Sequence, residues 1–321
     1  MNQPIHISLP TPFSVGPANT YLFVEPEPLL VDCGIDTDES WNVLVDALAE
    51  NGLAPADIQK VVVTHAHVDH MGMAGRIIAN SPATLLIWEQ IEPWAYDTDT
   101  MWQQRQDFMQ TTLNQFDLAD DDRNGILDGM AQTMTIWSSV PRERVETFGL
   151  DDLIQMGGLP WQVLYAPGHS NTQTCFYQPE TEQFLAADML LALTPAPVLE
   201  HRLTDNLERE ISLPKLLEMF DLIEKMAIRH VYPGHGEPFS DFQELIERQR
   251  QRISLRKGEC LELVRKGKEQ IEDLLDVMYK HHPRGMRFTG LSALIGYLDL
   301  LLIDEAIEER IIDGKRRFIV R

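Results

Sequence analysis

Three histidines and one aspartate lie within six positions of the sequence, in the stretch THAHVDH. They are His65, His67, Asp69 and His70, and they follow the β-branched run VVVT and precede a helix-like segment. In an extended segment His65 and His67 are two positions apart and point the same way. Asp69 and His70 then turn into the helix and face a second direction. This one stretch could therefore supply ligands to two metal ions a few ångströms apart.

Three more candidate ligands come directly after other β-rich segments, where strand ends can converge on one site. His169 lies in APGHS, His235 in YPGHGE and Asp188 at the end of FLAAD. Imidazole and carboxylate groups suit zinc, iron and manganese, and the lack of cysteine in these clusters argues against a closed structural zinc site. Asp188 is suited to bridge two ions because a carboxylate has two oxygens.

The other five histidines are isolated in the sequence. An isolated histidine is more often buried and satisfied by hydrogen bonds than bound to a metal. We assign that interpretation to His6, His201, His230, His281 and His282.

Strand-like and helix-like segments alternate over the first 240 residues. The segment DESWNVLVDALAENGL has helical spacing and ends at Asn51-Gly52, and MGMAGRIIANSP predicts a helix that stops before Pro82. The residues from Gln178 to Gln183 predict a hairpin turn. Strand-like runs include TYLFV, PLLVDCG, KVVVTHAH, ATLLIWE, LPWQVLYAPGHS and IRHVYPGHGEP.

Residues 89–150 interrupt this alternation of strand-like and helix-like segments. They are rich in Trp, Met, Gln and Asp and are predicted to be mostly helical, and they are too long for a plain connection, so they form an insertion or a lid. Large apolar side chains in this segment and directly before it could wall a pocket over the metals or pack in the core. They are Trp88, Trp94, Tyr96, Met101, Trp102, Phe108, Met109 and Phe116.

The same segment contains the acidic stretch DDDRNGILDGMA. Asp120, Asp122, Asn124 and Gly125 match the first half of an EF-hand loop, but the twelfth position is Ala131, where a bidentate glutamate is needed. The stretch therefore predicts a solvated acidic turn rather than a calcium site.

The C-terminal quarter of the chain differs in character, with three charged, helix-like segments and a hairpin predicted at Asp313-Gly314. Residues 246–321 carry 16 Lys and Arg against 13 Asp and Glu, a net charge of +3. The whole chain has a net charge of −23, so residues 1–245 have a net charge of −26. We predict a catalytic domain over 1–245 and a small winged-helix-like domain over 246–321. The acidic larger part should repel polyanions at long range.

The overall composition limits the setting in which the protein works. With 321 residues, 44% of them hydrophobic, the chain can bury a large core. It shows neither a signal segment nor a long apolar run, so no membrane partner is expected, and no pattern predicts an oligomeric state. Cys33, Cys175 and Cys260 are far apart and odd in number, which argues for a reducing, cytoplasmic location.

Taken in combination, THAHVDH, APGHS, the aspartate of AADML and YPGHGE resemble the metal-binding motifs of the metallo-β-lactamase fold superfamily, over roughly residues 5–240. LLVDCG resembles its first motif, in which Asp32 would support the loop rather than bind metal. The resemblance implies a four-layer αβ/βα sandwich of the α/β class. It also implies that one ion is bound by His65, His67 and His169, that the other is bound by Asp69, His70 and His235, and that Asp188 bridges them.

The C-terminal segments RISLRKGECLELV, GLSALIGYLDLL and DGKRRFIV resemble the winged-helix-like domain appended to one branch of that superfamily. This branch holds lactamase-beta-like hydrolases, some of them endoribonucleases. The glyoxalase II branch ends instead in a helical thioester-binding region.

The expected chemistry is hydrolysis by two divalent ions, zinc in the first instance, with iron or manganese as alternatives. A hydroxide that bridges them would attack an electrophilic carbon or phosphorus. Asp69 would both bind metal and orient the nucleophile. Asp32, Thr64 and Ser170 are candidates to fix the imidazole tautomers.

The first choice of substrate is a small ester or thioester. An anionic thioester, such as a glutathione or CoA conjugate, would need local basic groups, for which Arg76 and Arg105 are candidates. Hydrolysis of a lactone or β-lactam is one alternative.

Cleavage of single-stranded RNA, by an endoribonuclease or phosphodiesterase, is the other alternative. Its support is the helix-spaced set Arg248, Arg252 and Arg256 and the basic hairpin residues 315–317. These charges are equally explained as solvated faces paired with glutamates. The last helix-like segment is apolar and then acidic, which favours a core or protein-contact helix over a groove reader.

Overall fold

Two mixed β-sheets form the centre of the computed structural model, which describes residues 3–192, 197–204, 208–281 and 287–321. The first sheet contains β1 (Ile5–Leu9), β2 (Ala18–Phe23), β3 (Leu29–Val31), β4 (Lys60–Val62), β5 (Thr84–Trp88) and β6 (Val145–Phe148). These strands are adjacent in chain order, antiparallel from β1 to β3 and parallel from β3 to β6.

The second sheet contains β7 (Leu153–Met156), β8 (Leu159–Tyr165), β9 (Thr174–Gln178), β10 (Gln183–Ala187) and β11 (His230–Pro233). Its strand order is β11-β10-β9-β8-β7, and only the β10–β11 pair is parallel. Gln178 pairs with Gln183 across the predicted hairpin turn, which confirms that prediction.

The two sheets pack face to face through aromatic side chains. Phe23 meets Trp161 with ring centroids 5.8 Å apart, and Phe148 meets Phe176 at the same distance. All four rings are buried. Successive residues of a strand point to opposite faces, so Phe176 faces the first sheet while its neighbour Cys175 faces the helices on the outside.

Helices cover the outer face of each sheet. They are α1 (Asp38–Glu50), α2 (Val68–Met71), α3 (Ala74–Ala79), α4 (Pro93–Tyr96), α5 (Thr98–Gln115), α6 (Asp120–Met134), α7 (Ser212–Ile223), α8 (Phe242–Arg265), α9 (Ile271–Met278) and α10 (Arg287–Ile303). Leu48 of α1 and Ile77 of α3 pack in the cluster of the first sheet, and Phe220 of α7 packs with Phe184 of the second. The predicted four-layer sandwich is confirmed. In the described part of the chain, no helix is long and apolar enough to cross a membrane.

Two helix predictions in the first half are tested by the structure. The Thr37 side chain accepts a hydrogen bond from the backbone N–H of Ser40 and caps α1, which ends at Asn51 as predicted. The single helix predicted after His70 is instead two short helices, α2 and α3, separated at Gly72 and Met73. Gly72 allows a close approach there, because a Cβ would lie 2.8 Å from the Ile136 carbonyl oxygen.

The 89–150 segment is mostly helical, as predicted, but its last part belongs to the sheet. Val145–Phe148 pairs in parallel with Leu85–Trp88, so the helical insertion ends before residue 145. The acidic stretch that begins at Asp120 is the start of α6 rather than the solvated turn that we predicted. Carboxylates in the first turn interact favourably with the helix dipole, and the buried Asp122 lies 2.9 Å from the guanidinium of Arg287.

The C-terminal region consists of three helices and the hairpin β12 (Ile307–Ile312) and β13 (Lys315–Val320). Asp313 and Gly314 have φ of 51° and 76°, as a two-residue hairpin turn requires. Helix α10 is a core helix, as predicted. Helix α8 begins at Phe242, four residues before the predicted boundary, and Leu294 of α10 shares one core with Phe220 of α7. The winged-helix-like character remains a prediction.

The basic residues of the terminal hairpin contact the helical insertion. Lys315 Nζ donates to the carbonyl oxygen of Asn114 at 2.7 Å, and Arg316 Nε donates to the Gln115 side chain at 2.7 Å. Arg317 Nη2 lies 2.6 Å from Asp117 Oδ2, just after the end of α5. These charges therefore hold α5 in place within the molecule.

We expect Arg317 and Asp117 to be energetically coupled. A double-mutant cycle with Arg317→Ala and Asp117→Asn, measured by urea unfolding, should give a coupling free energy of about 1 kcal/mol, because the pair is partly buried. Arg310→Ala is the control, since that exposed side chain of the same hairpin pairs with Glu308 and does not touch α5. A coupling of zero would mean that the hairpin does not hold the insertion.

Candidate metal centre

His65 and His67 lie on the turn between β4 and α2, and Asp69 and His70 lie in the short helix α2 itself, as predicted. Backbone hydrogen bonds from α2 to the carbonyl oxygen of His67 begin the helix there. His65 and His70 are fully buried, and His67 and Asp69 are partly buried. Turns that follow β8, β10 and β11 bring the other three predicted ligands, His169, Asp188 and His235, to the same point.

One group of three nitrogen atoms is formed by His65, His67 and His169. His67 Nδ1 lies 3.0 Å from His65 Nε2 and 3.0 Å from His169 Nε2. This is the arrangement that three imidazole ligands of one cation require.

The partners of the outward-facing nitrogens decide which atoms carry lone pairs. The Thr64 hydroxyl donates to Asp32 Oδ2 at 2.8 Å, so its oxygen accepts from His65 Nδ1 at 3.0 Å. His67 Nε2 donates to Glu200 Oε1 at 3.1 Å. Both inward nitrogens are then unprotonated, and their lone pairs, 3.0 Å apart, repel each other unless a cation lies between them. The donor set therefore fits a divalent metal ion.

A second group is formed by Asp69, His70 and His235. His70 Nδ1 is 2.7 Å from Asp32 Oδ2, and His235 Nδ1 is 2.8 Å from the carbonyl oxygen of Pro17, which leaves both Nε2 atoms facing inward. His235 Nε2 lies 3.3 Å from Asp69 Oδ2. The two Nε2 atoms are buried without a hydrogen-bond partner among the described residues, as expected of atoms that bind a cation.

Asp188 lies between the two groups. Its Oδ2 is 3.3 Å from His169 Nε2, and its Oδ1 is 3.4 Å from His70 Nε2. A register shift near the end of β10 and a left-handed φ of 44° at Ala187 direct this side chain away from the strand. The position is the one that a bridging carboxylate would occupy.

Each of the two PGH turns needs its glycine. A Cβ on Gly168 would lie 2.7 Å from the Cα atom of Leu216 on α7, and φ there is 149°. A Cβ on Gly234 would lie 2.0 Å from Asp188 Oδ1. Any side chain at either position would therefore displace a neighbouring ligand or the helix that supports it.

The two groups differ in electrostatics. Burial, together with the nearby His70 and His67, holds the pKa of His65 well below its ordinary value, and burial lowers the pKa of His169 to about 4. Burial also favours the neutral form of His235, but Asp188 and Asp69 outweigh it and raise the pKa to about 10.

The carboxylates beside His70 have the same effect. Burial favours its neutral ring, yet Asp188 and Asp32 raise the pKa of His70 well above its ordinary value. Burial would raise the pKa of Asp69, but His70 and His235 hold that pKa at about 2. At neutral pH, protons therefore occupy the second group until a cation replaces them.

The supporting residues were predicted only in part. Asp32 and Thr64 do contact ligand imidazoles, whereas Ser170 donates to Glu200 at 3.0 Å instead of to an imidazole. Sequence reasoning missed Glu200, and it named Arg105 as a candidate for binding an anionic substrate, whereas Arg105 Nη1 donates to Glu200 Oε1 at 3.2 Å. No local motif marks Glu200, because every side chain that it contacts is distant from it in the sequence.

The isolated histidines lie outside the two groups. His6 Nε2 is bonded to Asn19 Oδ1 at 2.8 Å, and His201 Nδ1 to the carbonyl oxygen of Arg202 at 2.8 Å, which agrees with the predicted hydrogen bonding. His230 is half-buried, and His281 is exposed, so the prediction of burial is wrong for His281. His282 lies outside the described residues.

Comparison with known proteins agrees with this arrangement. The family model described as the metallo-beta-lactamase superfamily matches residues 14–235, which is most of the chain and includes all seven predicted ligands. The chain belongs to the metallo-beta-lactamase superfamily. With the donor set described above, this membership supports its assignment as a metal-dependent hydrolase.

Similar proteins share nearly the whole length. The "Probable metallo-hydrolase YqjP" of Bacillus subtilis (strain 168) is 28% identical over 316 residues, covering 94% of this chain and 93% of the relative. A metallo-beta-lactamase family protein from Thermus thermophilus has a TM-score of 0.82 at 21% identity, over 100% of this chain and 99% of that one. A beta-lactamase domain protein from Burkholderia ambifaria has a TM-score of 0.79 at 20% identity, over 98% and 92%. The fold of the C-terminal region is thus shared as well.

We expect the two groups to release different numbers of protons when they bind zinc. Metal ligands must be deprotonated, so the Asp69–His70–His235 group should release about two protons at pH 7, from His70 and His235. His65 and His169 are already neutral and should release none. Affinity of the second group should therefore rise with pH up to the His235 pKa of about 10, while affinity of the first should change little around neutral pH.

Calorimetric titration in buffers of different ionisation enthalpy measures this difference. The first equivalent of zinc should fill the neutral group, with little dependence of the heat on the buffer. A proton lost from a zinc-bound water contributes to the same buffer dependence as a ligand proton, and it is separated from the ligand protons by its own pH dependence. Equal proton release in both steps would contradict the assignment of charge between the groups.

Proposed function

We propose that the protein hydrolyses an ester or thioester bond of a small substrate whose acyl group is uncharged, with the help of two divalent cations, zinc in the first instance. The observation that carries this proposal is a cavity beside the predicted ligands. Ala66, which stands between His65 and His67, forms part of its wall, and so do Asn171 and Thr172 from the turn after His169.

The size and chemistry of this cavity suit a small neutral group. Its volume is about 360 Å³, near the lower end of the range for ligand pockets. Trp94, Met101 and Leu203 supply apolar surface, and Gln90 and Gln104 supply amide groups. Trp94 and Met101 are among the aromatic and methionine residues that the sequence suggested as the wall of a pocket, and both line this cavity. Phe108 and Met109, from the same set, pack in the core instead.

The charges of the cavity are already paired. Among its described lining residues, Arg105 lies 3.2 Å from Glu200, and His201 Nδ1 is bonded to the carbonyl oxygen of Arg202. Arg76, the other candidate for an anionic substrate, lies within 3.3 Å of Asp36 and 2.9 Å of Asp38. A free carboxylate or phosphate would find no unpaired cation among these residues, which favours an uncharged acyl group.

Bound divalent cations would acidify a water molecule and polarise the scissile carbonyl group. The residues of the chain do the rest. Asp69 stays ionised, with its pKa at about 2, and its carboxylate can accept a hydrogen bond from the attacking water and so orient it. Trp94 and Met101 exclude bulk water from the acyl side of the bond.

The RNA alternative has less support. Lys315, Arg316 and Arg317 contact the helical insertion, and Arg256 pairs with Glu259 at 2.6 Å and stacks on Tyr279. A groove for a nucleic-acid backbone needs basic side chains that are free to bind phosphates. The exposed Arg252 is one remaining candidate.

A panel of substrates tests the proposal. We expect zinc-loaded protein to hydrolyse neutral short-chain esters, lactones or thioesters, and to cleave single-stranded RNA and phosphodiesters far more slowly. Chelation should abolish the activity and zinc should restore it. The His65→Ala/His67→Ala double variant should lose both activity and metal, since two of three ligands of one group are removed. Faster turnover of RNA than of every ester, with a steep dependence on salt, would refute the proposal.

Narrowing the cavity should change substrate preference. Leu203 is 36% exposed at the cavity wall, so Leu203→Trp can fill space without disturbing the core. We expect kcat/KM for the longest accepted acyl chain to fall roughly 10-fold or more relative to the shortest, with unchanged metal content. Leu222→Trp is the matched control, since Leu222 is 46% exposed on α7 and does not line the cavity. Equal effects of the two variants would show that the cavity does not hold the acyl group.

A further inference from the structure

We infer that Glu200 is a positioning residue, which fixes His67 and the turn after His169 in the geometry needed to bind one cation and links both to helix α5 through Arg105. The inference assumes that His67 is a ligand. Wild-type protein that binds no metal would refute that assumption, and with it the proposed function, before any variant is compared.

The carboxylate of Glu200 is buried and has four donors. Oε1 accepts from His67 Nε2 at 3.1 Å and from Arg105 Nη1 at 3.2 Å. Oε2 accepts from Ser170 Oγ at 3.0 Å and from the backbone N–H of Asn171 at 2.9 Å. The residue is 5% exposed, so water does not compete effectively for these positions.

The contact with His67 sets which nitrogen of that ring faces the metal site. A hydrogen bond from Nε2–H to a carboxylate leaves the lone pair on Nδ1, which is the atom 3.0 Å from His65 and His169. A carboxylate partner also makes the imidazole a stronger ligand. Of the three imidazoles of the first group, the ring of His67 is the one that Glu200 contacts directly among the described residues.

The second edge of the carboxylate acts on the turn that carries His169. Ser170 and Asn171 directly follow that ligand. Ser170 Oγ accepts from the backbone N–H of Thr172 at 3.1 Å and donates to Glu200, because an ionised carboxylate can only accept. The backbone N–H of Val198 also donates to the His169 carbonyl oxygen at 2.8 Å. The Asn171 side-chain amide also donates to the carbonyl oxygen of His201, so the Glu200 segment and the His169 turn are joined at four points.

Arg105 connects the carboxylate of Glu200 to helix α5 and to the cavity proposed to bind the substrate. Its guanidinium lies 5.9 Å from the ring centroid of Trp94 and 6.0 Å from that of Trp102, and both Arg105 and Glu200 line the cavity. Movement of α5 would therefore act on Glu200 and, through it, on His67. Within the described residues, the second group has no such connection, since its outward nitrogens are bonded to Asp32 and Pro17.

Glu200→Gln tests the inference because all four partners are donors. An amide has one oxygen edge and one N–H₂ edge, so it must face either the His67–Arg105 pair or the Ser170–Asn171 pair with hydrogens. In both orientations one element of the first group loses its support. We expect zinc affinity of that group to fall roughly 10- to 100-fold in chelator competition, while affinity of the Asp69–His70–His235 group stays unchanged.

Cobalt substitution supplies a readout that does not depend on activity. The d–d absorption of the first cobalt equivalent should change in energy or intensity in Glu200→Gln, and the melting temperature of the metal-free protein should be followed as the measure of folding. Glu208→Gln is the matched control, since Glu208 lies on the same segment, pairs with Arg202 and does not touch a ligand. Arg105→Met should lower zinc affinity less than Glu200→Gln does, because Arg105 contacts Glu200 and reaches the ligand His67 only through it.

A measurement on the wild type keeps the inference testable if Glu200→Gln fails to fold. Long-range ¹H–¹⁵N correlation of the imidazoles should show His67 protonated at Nε2, with a strongly downfield proton, and bound to metal through Nδ1. The opposite tautomer would overturn the inference. Unchanged zinc affinity and an unchanged cobalt spectrum in folded Glu200→Gln would overturn it as well.

Discussion

The structure depends on one electrostatic constraint: the donor atoms of seven side chains converge in two adjacent groups, where they repel each other unless cations or protons lie between them. Rotation of the imidazoles of His65, His67, His70 and His235 is opposed by a partner on the other ring nitrogen. Asp32 has a central part in this, since it holds Thr64 and His70 and thereby supports both groups. Its left-handed φ of 58° is strain of the kind found where a side chain must be aimed.

The two packed sheets hold the backbone in the positions that bring these side chains together. Strand ends from both sheets meet at the centre, so ligands as distant in sequence as His65 and His235 become neighbours. The register shift before Asp188 and the glycines of the two PGH turns let backbone come closer than ordinary residues permit. Because the aromatic core between the sheets is buried and interlocked, the ends of the strands do not move independently.

A structural feature could be predicted where the residues that define it lie close together in the sequence. The HxHxDH spacing and the PGH turns are local, and strand alternation is enough to place their side chains together. Glu200 carries no such signal, because its role exists only after the fold brings it to His67. The acidic run at Asp120 shows the reverse error: local charge suggested a turn, but a helix N-terminus and Arg287 stabilise it as the start of α6. The strand Val145–Phe148 was likewise hidden by its helical neighbours, since only pairing with β5 defines it.

Helix α5 is held at two points by ion pairs, and one of them gives basic residues of the C-terminal region a role within the molecule. Near the middle of the helix, Arg105 reaches Glu200 at the centre, and just beyond its end Asp117 is held by Arg317 of the terminal hairpin. The insertion is acidic, so a net charge of +3 on residues 246–321 complements it. The two regions that the sequence separated as a lid and a domain therefore work as one unit, which holds α5 beside the cavity next to the predicted ligands.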